Sequence, residues 1–216
     1  TGSQARILID TPTEGVEQSL TGENPTVRVE ELVPGLPSYR GTYSTPAAGS
    51  YFLAVRQLSR GGLLGQYFDN QWLQGSPVLS RVDAAVDFDF EDGLVTPFAR
   101  DYVSARWTGK LRHPTQGLGE TATLFLSGDE GFRLYFDHEL VIDRWDECCA
   151  ESRSFVTLEA DTFHDIILEW RDVTGSASIS LEWETASIAR SVIPSSALWA
   201  AAHIADSPFA ITVLPG

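Results

Sequence analysis

The chain has 216 residues, 43% of them hydrophobic and 11% aromatic, enough for one or two domains with a real core. Fifteen basic residues face thirty acidic ones, and the net charge of −15 excludes the clustered Lys/Arg surface that a nucleic-acid partner requires. No apolar run reaches the length of a membrane span, and the two cysteines stand side by side as Cys148-Cys149, where they cannot staple distant parts of this chain together.

Up to residue 185 almost nothing has helical period. Short alternating runs recur instead, punctuated by Gly, Pro, Asp and Asn, and they predict an all-β fold. Residues 5–9 and 26–30 are the first two strands, separated by a loop at 13–25. A breaker cluster follows at 33–37. Residues 38–44 and 50–55 form the next pair, joined by Thr45-Pro-Ala-Ala-Gly49. Further on, Leu124, Leu126, Phe132, Leu134 and Phe136 fall at a spacing of two, the period of a half-buried strand. Asp129-Glu130-Gly131 interrupts that run, and Asp137-His138-Glu139 ends it. Gly131 supplies backbone freedom beside two carboxylates. Clustered oxygens on a turn, held by a rigid sheet, suit a hard cation. Asp and Glu are equally ordinary residues of hairpin turns.

Two resemblances organise these elements. Gly41-Thr-Tyr-Ser-Thr-Pro-Ala-Ala-Gly-Ser-Tyr-Phe-Leu-Ala-Val55 resembles the central strands of a filamin-type immunoglobulin-like repeat. His203-Ile-Ala-Asp-Ser-Pro-Phe-Ala-Ile-Thr-Val-Leu-Pro-Gly216 resembles the last strand of the same repeat. The two parts lie far apart in sequence, which implies an insertion between the last two strands of the sandwich, a place that tolerates one. The expected division is 1–60 with 201–216 for the filamin-type domain and 61–200 for the insert.

The insert resembles a PA14 domain, a β-sandwich. The blocks that carry the likeness occur in order: Gly62-Leu-Leu-Gly-Gln-Tyr-Phe-Asp-Asn70, the run from Ser80 to Phe90, and Val103-Ser-Ala-Arg-Trp-Thr-Gly-Lys-Leu111. The acidic stretch from Ser127 to Trp145 follows, then His164-Asp-Ile-Ile-Leu-Glu-Trp170, Gly175-Ser-Ala-Ser-Ile-Ser-Leu-Glu-Trp183 and Val192-Ile-Pro-Ser-Ser-Ala-Leu-Trp199. The implied fold is a PA14-like β-sandwich inserted into a filamin-type immunoglobulin-like one. Function does not follow from fold alone.

Sugar-binding members of this family hold calcium with two adjacent Asp residues. Here Asp129 keeps the first position, and Glu130 replaces the second with a side chain one methylene longer. Calcium accepts variable distances and bidentate carboxylates. The flocculins of the family add an Asn and backbone carbonyls from the loop before the final strand. Aligned onto that loop, Asp172 takes the place of the Asn, and Thr174 and Ser176 supply the carbonyls. The resemblance thus implies a calcium site of Asp129, Glu130, Asp172, Thr174 and Ser176. The competing reading is that Arg171 or Arg133 pairs these acids as surface ion pairs.

The likeness also places Cys148-Cys149 beside the binding loop, where flocculin cysteines pair with distant partners that this chain lacks. Three states stay open: a strained ring between neighbours, bonds to cysteines outside this chain, or two free thiols. Trp107, Trp170 and Trp183 lie in strand patterns and belong to the core. Trp145 adjoins the loop and joins Cys148, Cys149, Asp129 and Glu130 as a ligand-binding residue. Trp72 is either exposed or wedged at the domain junction.

Catalysis finds little support. His113, His138, His164 and His203 have no metal spacing and no partnered nucleophile. Asp129 with Asp143 is a candidate glycosidase pair, and hairpin acids without a cleft are more often structural. The expectation is a non-catalytic, lectin-like module at the cell surface or outside the cell, with a glycan or glycoprotein as partner and neighbouring filamin-type repeats beside it. The alternative is a structural or protein-interaction module that adds a peptide strand to a sheet edge.

Overall fold

The computed structural model describes residues 4–10, 26–31, 39–44, 49–113, 119–147, 150–160, 162–203 and 209–214. The turn expected at Thr45-Pro-Ala-Ala-Gly49, the Ser-Pro of the last filamin-like block and the Cys148-Cys149 pair fall largely or wholly outside them. In chain order the strands are β1 (Gln4–Asp10), β2 (Thr26–Glu31), β3 (Tyr39–Ser44), β4 (Gly49–Arg60), β5 (Leu63–Phe68), β6 (Leu79–Asp83), β7 (Asp87–Glu91), β8 (Val103–Leu111) and β9 (Glu120–Gly128). They continue with β10 (Gly131–Phe136), β11 (Glu139–Arg144), β12 (Ser152–Leu158), β13 (His164–Asp172), β14 (Ala177–Glu184), β15 (Ser191–Val192), β16 (Leu198–His203) and β17 (Phe209–Val213). One 3₁₀ turn, Ser195–Ala197, is the only helical element among the described residues.

The chain forms two compact units, residues 1–59 with 202–216 and residues 60–201. In the first, β4 takes β1 along its length, from Gln4 opposite Leu58 to Asp10 opposite Phe52, and β17 beside residues 49–53. β2 and β3 make an antiparallel pair.

The second unit is a sandwich of two antiparallel sheets. In the first sheet β8 is central. β13 lines one of its edges, while β5 and β16 share the other end to end; β6 extends β5, and β10 then β11 extend β13. The second sheet runs β12-β9-β14, with β7 and β15 sharing the far edge of β14. Residues alternate across each sheet, so one register fills the space between them. β14 shows this plainly: Ala177, Ile179, Leu181 and Trp183 point inward and are 1% exposed. Trp107 and Trp170 are fully buried and lie against Phe88 and Phe90, with ring centroids 5.8 and 6.0 Å apart respectively. Each such side chain contributes about 1.5–3 kcal/mol on burial, against about 0.2–1 kcal/mol for an exposed ion pair, so apolar burial decides the fold.

Leu124, Leu126, Phe132, Leu134 and Phe136 are all buried, as their spacing predicts. The two acidic breaks differ in kind. Asp137 and His138, both at positive φ (46° and 71°), make a two-residue hairpin turn between β10 and β11. Asp129 and Glu130 instead cross from the second sheet to the first. Residues 92–102 and 173–176 also cross at that same end, where β11 ends and β12 begins. The register proves it, since Phe68, Ser104, Arg171 and Gly131 stand side by side across the first sheet, and Glu91 faces Ala177 in the second. The β5–β6 loop, residues 69–78, arrives there too.

Candidate functional site

At this end of the sandwich, Asp172 is the last residue of β13 and follows the inward-pointing positions 166, 168 and 170. Its side chain is fully buried, and neither carboxylate oxygen accepts a hydrogen bond. Arg171 pairs with Asp146 (3.2 Å) and Arg133 with Asp143 (3.1 Å), and neither hydrogen-bonds to Asp172. Burial above all, and then the charges of Glu130, Asp101 and Asp129, push the Asp172 carboxyl up to about 7 from an ordinary 3.8.

The neighbouring acids are held by the backbone. Asp129 is locked at both main-chain groups: its amide donates to the Ser178 carbonyl (2.9 Å) and its carbonyl accepts from Trp170 Nε1 (3.0 Å). Glu130 sits in the left-handed region, φ 63°, and its Oε1 accepts from the Thr174 amide (3.3 Å). Asp101 Oδ1 accepts from the Gly175 amide (3.2 Å), and the Tyr102 amide donates to the Val173 carbonyl (3.1 Å). The turn after β13 thus shows N–H groups, not the carbonyls expected of Thr174, to two of the acids. Ser176 is exposed on the same turn. Asp101 belongs to the set but stands in no motif; only the pairing of Val103 with Asp172 brings it there.

Positive φ falls on Glu130, not on Gly131 as expected. Gly131 is needed for space: a methyl there would overlap the Trp145 carbonyl oxygen and stand 2.7 Å from Arg171 Nε. Non-glycine positive φ also occurs at Leu73, Glu91 and Tyr102, all at this end. Strain of this kind, about 1–3 kcal/mol each, persists where the surroundings over-determine it and gathers at functional sites.

Trp145 is 8% exposed, enclosed by Arg133 and Arg171 at 4.6 and 5.1 Å from its ring centroid. Trp72 is the exposed tryptophan, at 54%. Asp143 stands on β11, where Oδ1 accepts from the Trp145 amide and pairs with Arg133.

The acids fit a cation in one respect and fall short in another. Among the described residues no three His, Cys, Asp or Glu side chains are gathered at ligating distance. Yet a buried carboxylate with two unpartnered oxygens, facing three like charges, is unstable as an anion without a compensating positive charge. Asp172 with Asp129, Glu130 and Asp101 is an all-oxygen donor set, the chemistry of calcium. Binding would draw Glu130 and Asp101 off two long backbone hydrogen bonds.

The family model of the PA14 domain matches residues 59–197, and the chain belongs to that family. Anti-sigma-I factor RsgI3 of Acetivibrio thermocellus is 33% identical over 160 residues, 72% of this chain and 24% of that protein. The solved anti-sigma factor domain-containing protein from Clostridium clariflavum is 39% identical, with a TM-score of 0.59 over 64% of this chain and 47% of that one. The chain therefore spans about a quarter to a half of these relatives. A PA14 sugar-binding domain from an RTX adhesin has a TM-score of 0.51 at 17% identity, covering 63% of this chain and 97% of that one, a likeness of fold. No helix among the described residues is long and apolar enough to cross a membrane.

Proposed function

We propose that the PA14 unit is a non-catalytic carbohydrate-binding module whose site is the crossing end of the sandwich, with calcium held by Asp172, Asp129, Glu130 and Asp101. The observation that carries this is the buried, unpartnered Asp172 carboxylate among three other acids. A bound calcium ion would supply positive charge and open coordination positions where two vicinal hydroxyls of a sugar can replace water. Asp172 holds the ion from below, and the fixed backbone of Asp129 and strained Glu130 set the rim. The loop carbonyls of Thr174 and Ser176 complete the set once their turn adjusts. The net charge of −15 concentrates divalent cations near the surface. The RTX adhesin domain described as sugar-binding shares the fold, which is consistent with this reading. Display at the cell surface, a filamin-type identity for the first unit, and a place for Cys148-Cys149 in the binding loop belong to the same proposal.

The relatives favour a second reading at the level of the whole protein. One is named an anti-sigma-I factor and the other an anti-sigma factor domain-containing protein, and this chain covers 24% and 47% of them, so this module would serve as the ligand-recognising part of a regulator rather than of an adhesin. A glycan array probed in 5 mM calcium and again in EDTA tests the sugar-binding claim common to both. Calcium-dependent signal supports it, and an array silent in both buffers rejects it.

A further inference from the structure

The acidic site leaves Trp72 without a role, and the core does not need it. Trp107, Trp145, Trp170 and Trp183 are buried, while Trp72 is 54% exposed. Its loop is nonetheless fixed. Asn70 Oδ1 accepts from the amides of Trp72 (3.0 Å) and Gln74 (3.1 Å), and Asn70 Nδ2 donates to the Gln74 carbonyl (2.9 Å). Ser104 Oγ donates to the Asn70 carbonyl (2.5 Å) and accepts from the Leu73 amide (3.1 Å). Leu73 is held at φ 56°. The indole itself is braced by the Arg171 guanidinium, 5.5 Å from its centroid. The same guanidinium lies 5.1 Å from Trp145, which is flanked in turn by Arg133 at 4.6 Å. Trp72, Arg171, Trp145 and Arg133 thus form one cation–π row, tied down by Asp146 and Asp143. The row ends at solvent on Trp72.

Position connects this ring to the acids. Ser104, which pins the loop, is opposite Arg171, and the adjacent Val103 is opposite Asp172. Its loop neighbours are Asn70, Gln71, half-buried Leu73 and Gln74. One exposed indole face has the dimensions of one sugar ring, and Leu94, Phe98 and Tyr102 are further exposed apolar side chains on the 92–102 crossing.

We propose that the solvent-facing side of Trp72 is a second sugar subsite, stacking on the C–H-rich face of a pyranose linked to the one held at Asp172. This rests on the sugar-binding reading above. A ring already fixed in place loses no rotamer freedom on binding, so its contact area goes into affinity. The module would then prefer a chain of at least two sugars over a single one.

The test uses the full chain in 5 mM calcium, with isothermal titration of methyl glucoside, galactoside, mannoside and xyloside and of the β-linked disaccharides of the same sugars. Wild type is expected to bind one disaccharide more tightly than its methyl glycoside. Trp72→Ala should weaken that disaccharide about tenfold and leave the methyl glycoside within about twofold. Trp72→Phe, which keeps an aromatic face, should stay within about threefold for both and guards against collapse of the loop in the alanine variant. Disaccharide affinity unchanged in folded Trp72→Ala overturns the subsite and leaves the acidic site standing. Equal loss of both ligands overturns it as a second subsite, as does a folded Trp72→Phe as weak as the alanine variant. No binding of any sugar by wild type overturns this proposal and the proposed function together.

Discussion

Replacing Asp172 by Asn tests the electrostatics of the site without changing its shape. In the folded chain the carboxyl titrates near 7, whereas its ordinary value is 3.8. A raised acid pKa means that the folded state holds the proton more tightly than the unfolded state. Below about pH 4 both states are protonated and the group contributes nothing. From about pH 4 to pH 7 the unfolded state has lost the proton and the folded state has not, so stability falls with rising pH and then levels off. Each pKa unit is worth 1.36 kcal/mol, and three units set a ceiling of about 4 kcal/mol. Asn carries no charge, and no hydrogen bond is lost because the oxygens accept none. The stability gap between variant and wild type in EDTA should therefore shift in favour of Asp172→Asn by about 2–4 kcal/mol between pH 4 and pH 8, or roughly 4–16 °C in melting temperature. Urea unfolding at the two pH values, followed by tryptophan fluorescence, measures it. A gap that is the same at both would show that Asp172 is not a strained anion, and the reasoning about the site would fail.

Three other changes follow from the same geometry. Gly131→Ala places a methyl against the Trp145 carbonyl and Arg171 Nε, between two strands that cannot both yield, and should lower stability by about 2 kcal/mol or more in urea unfolding. Asp83→Ala removes the acceptor shared by Tyr67 OH (2.5 Å) and Trp107 Nε1 (2.8 Å), leaving two buried donors unpaired. It should cost about 2–5 kcal/mol by calorimetry, against about 1–2 kcal/mol for Tyr67→Phe. Glu130→Gln deletes one of the like charges facing Asp172 and should move its pKa down toward the ordinary range, read by carboxyl-carbon NMR titration; an unmoved pKa would mean that Glu130 is not coupled to it.

The sandwich is legible in the chain because its signals are local. Period-two apolar positions such as Leu124, Leu126, Phe132 and Leu134 name their own buried face, and Trp107, Trp170 and Trp183 sit inside strand patterns. Asp129 and Glu130 were visible as clustered acids of a turn, which ordinary turns also carry, and Asp172 was reachable only through likeness to a family. Asp101 was not reachable even so. It joins the site through the register of β8 against β13, a long-range fact that no short pattern encodes. Trp72 is exposed, one of the two places expected of it, whereas Trp145, expected to face a ligand, is buried. Trp145 next to a loop reads as exposed, but two arginines from β10 and β13 enclose it. Trp72 carries one clue, the turn-forming Asn70 two residues before it, whose side chain ties the loop. Gly131 was rightly marked as special for the wrong reason: its missing side chain makes room for neighbouring strands, and the unusual backbone angle falls on Glu130.

The central claim is that Asp172 and the acids around it form a cation site. Calcium titration by isothermal calorimetry at pH 7.5, with wild type and Asp172→Asn side by side, tests it most directly. One calcium per chain is expected for wild type, with binding lost in the variant. At a hundredfold excess over Kd the ion should stabilise wild type by about 2.7 kcal/mol. Heats indistinguishable from dilution for wild type, or equal binding by the variant, would contradict the account.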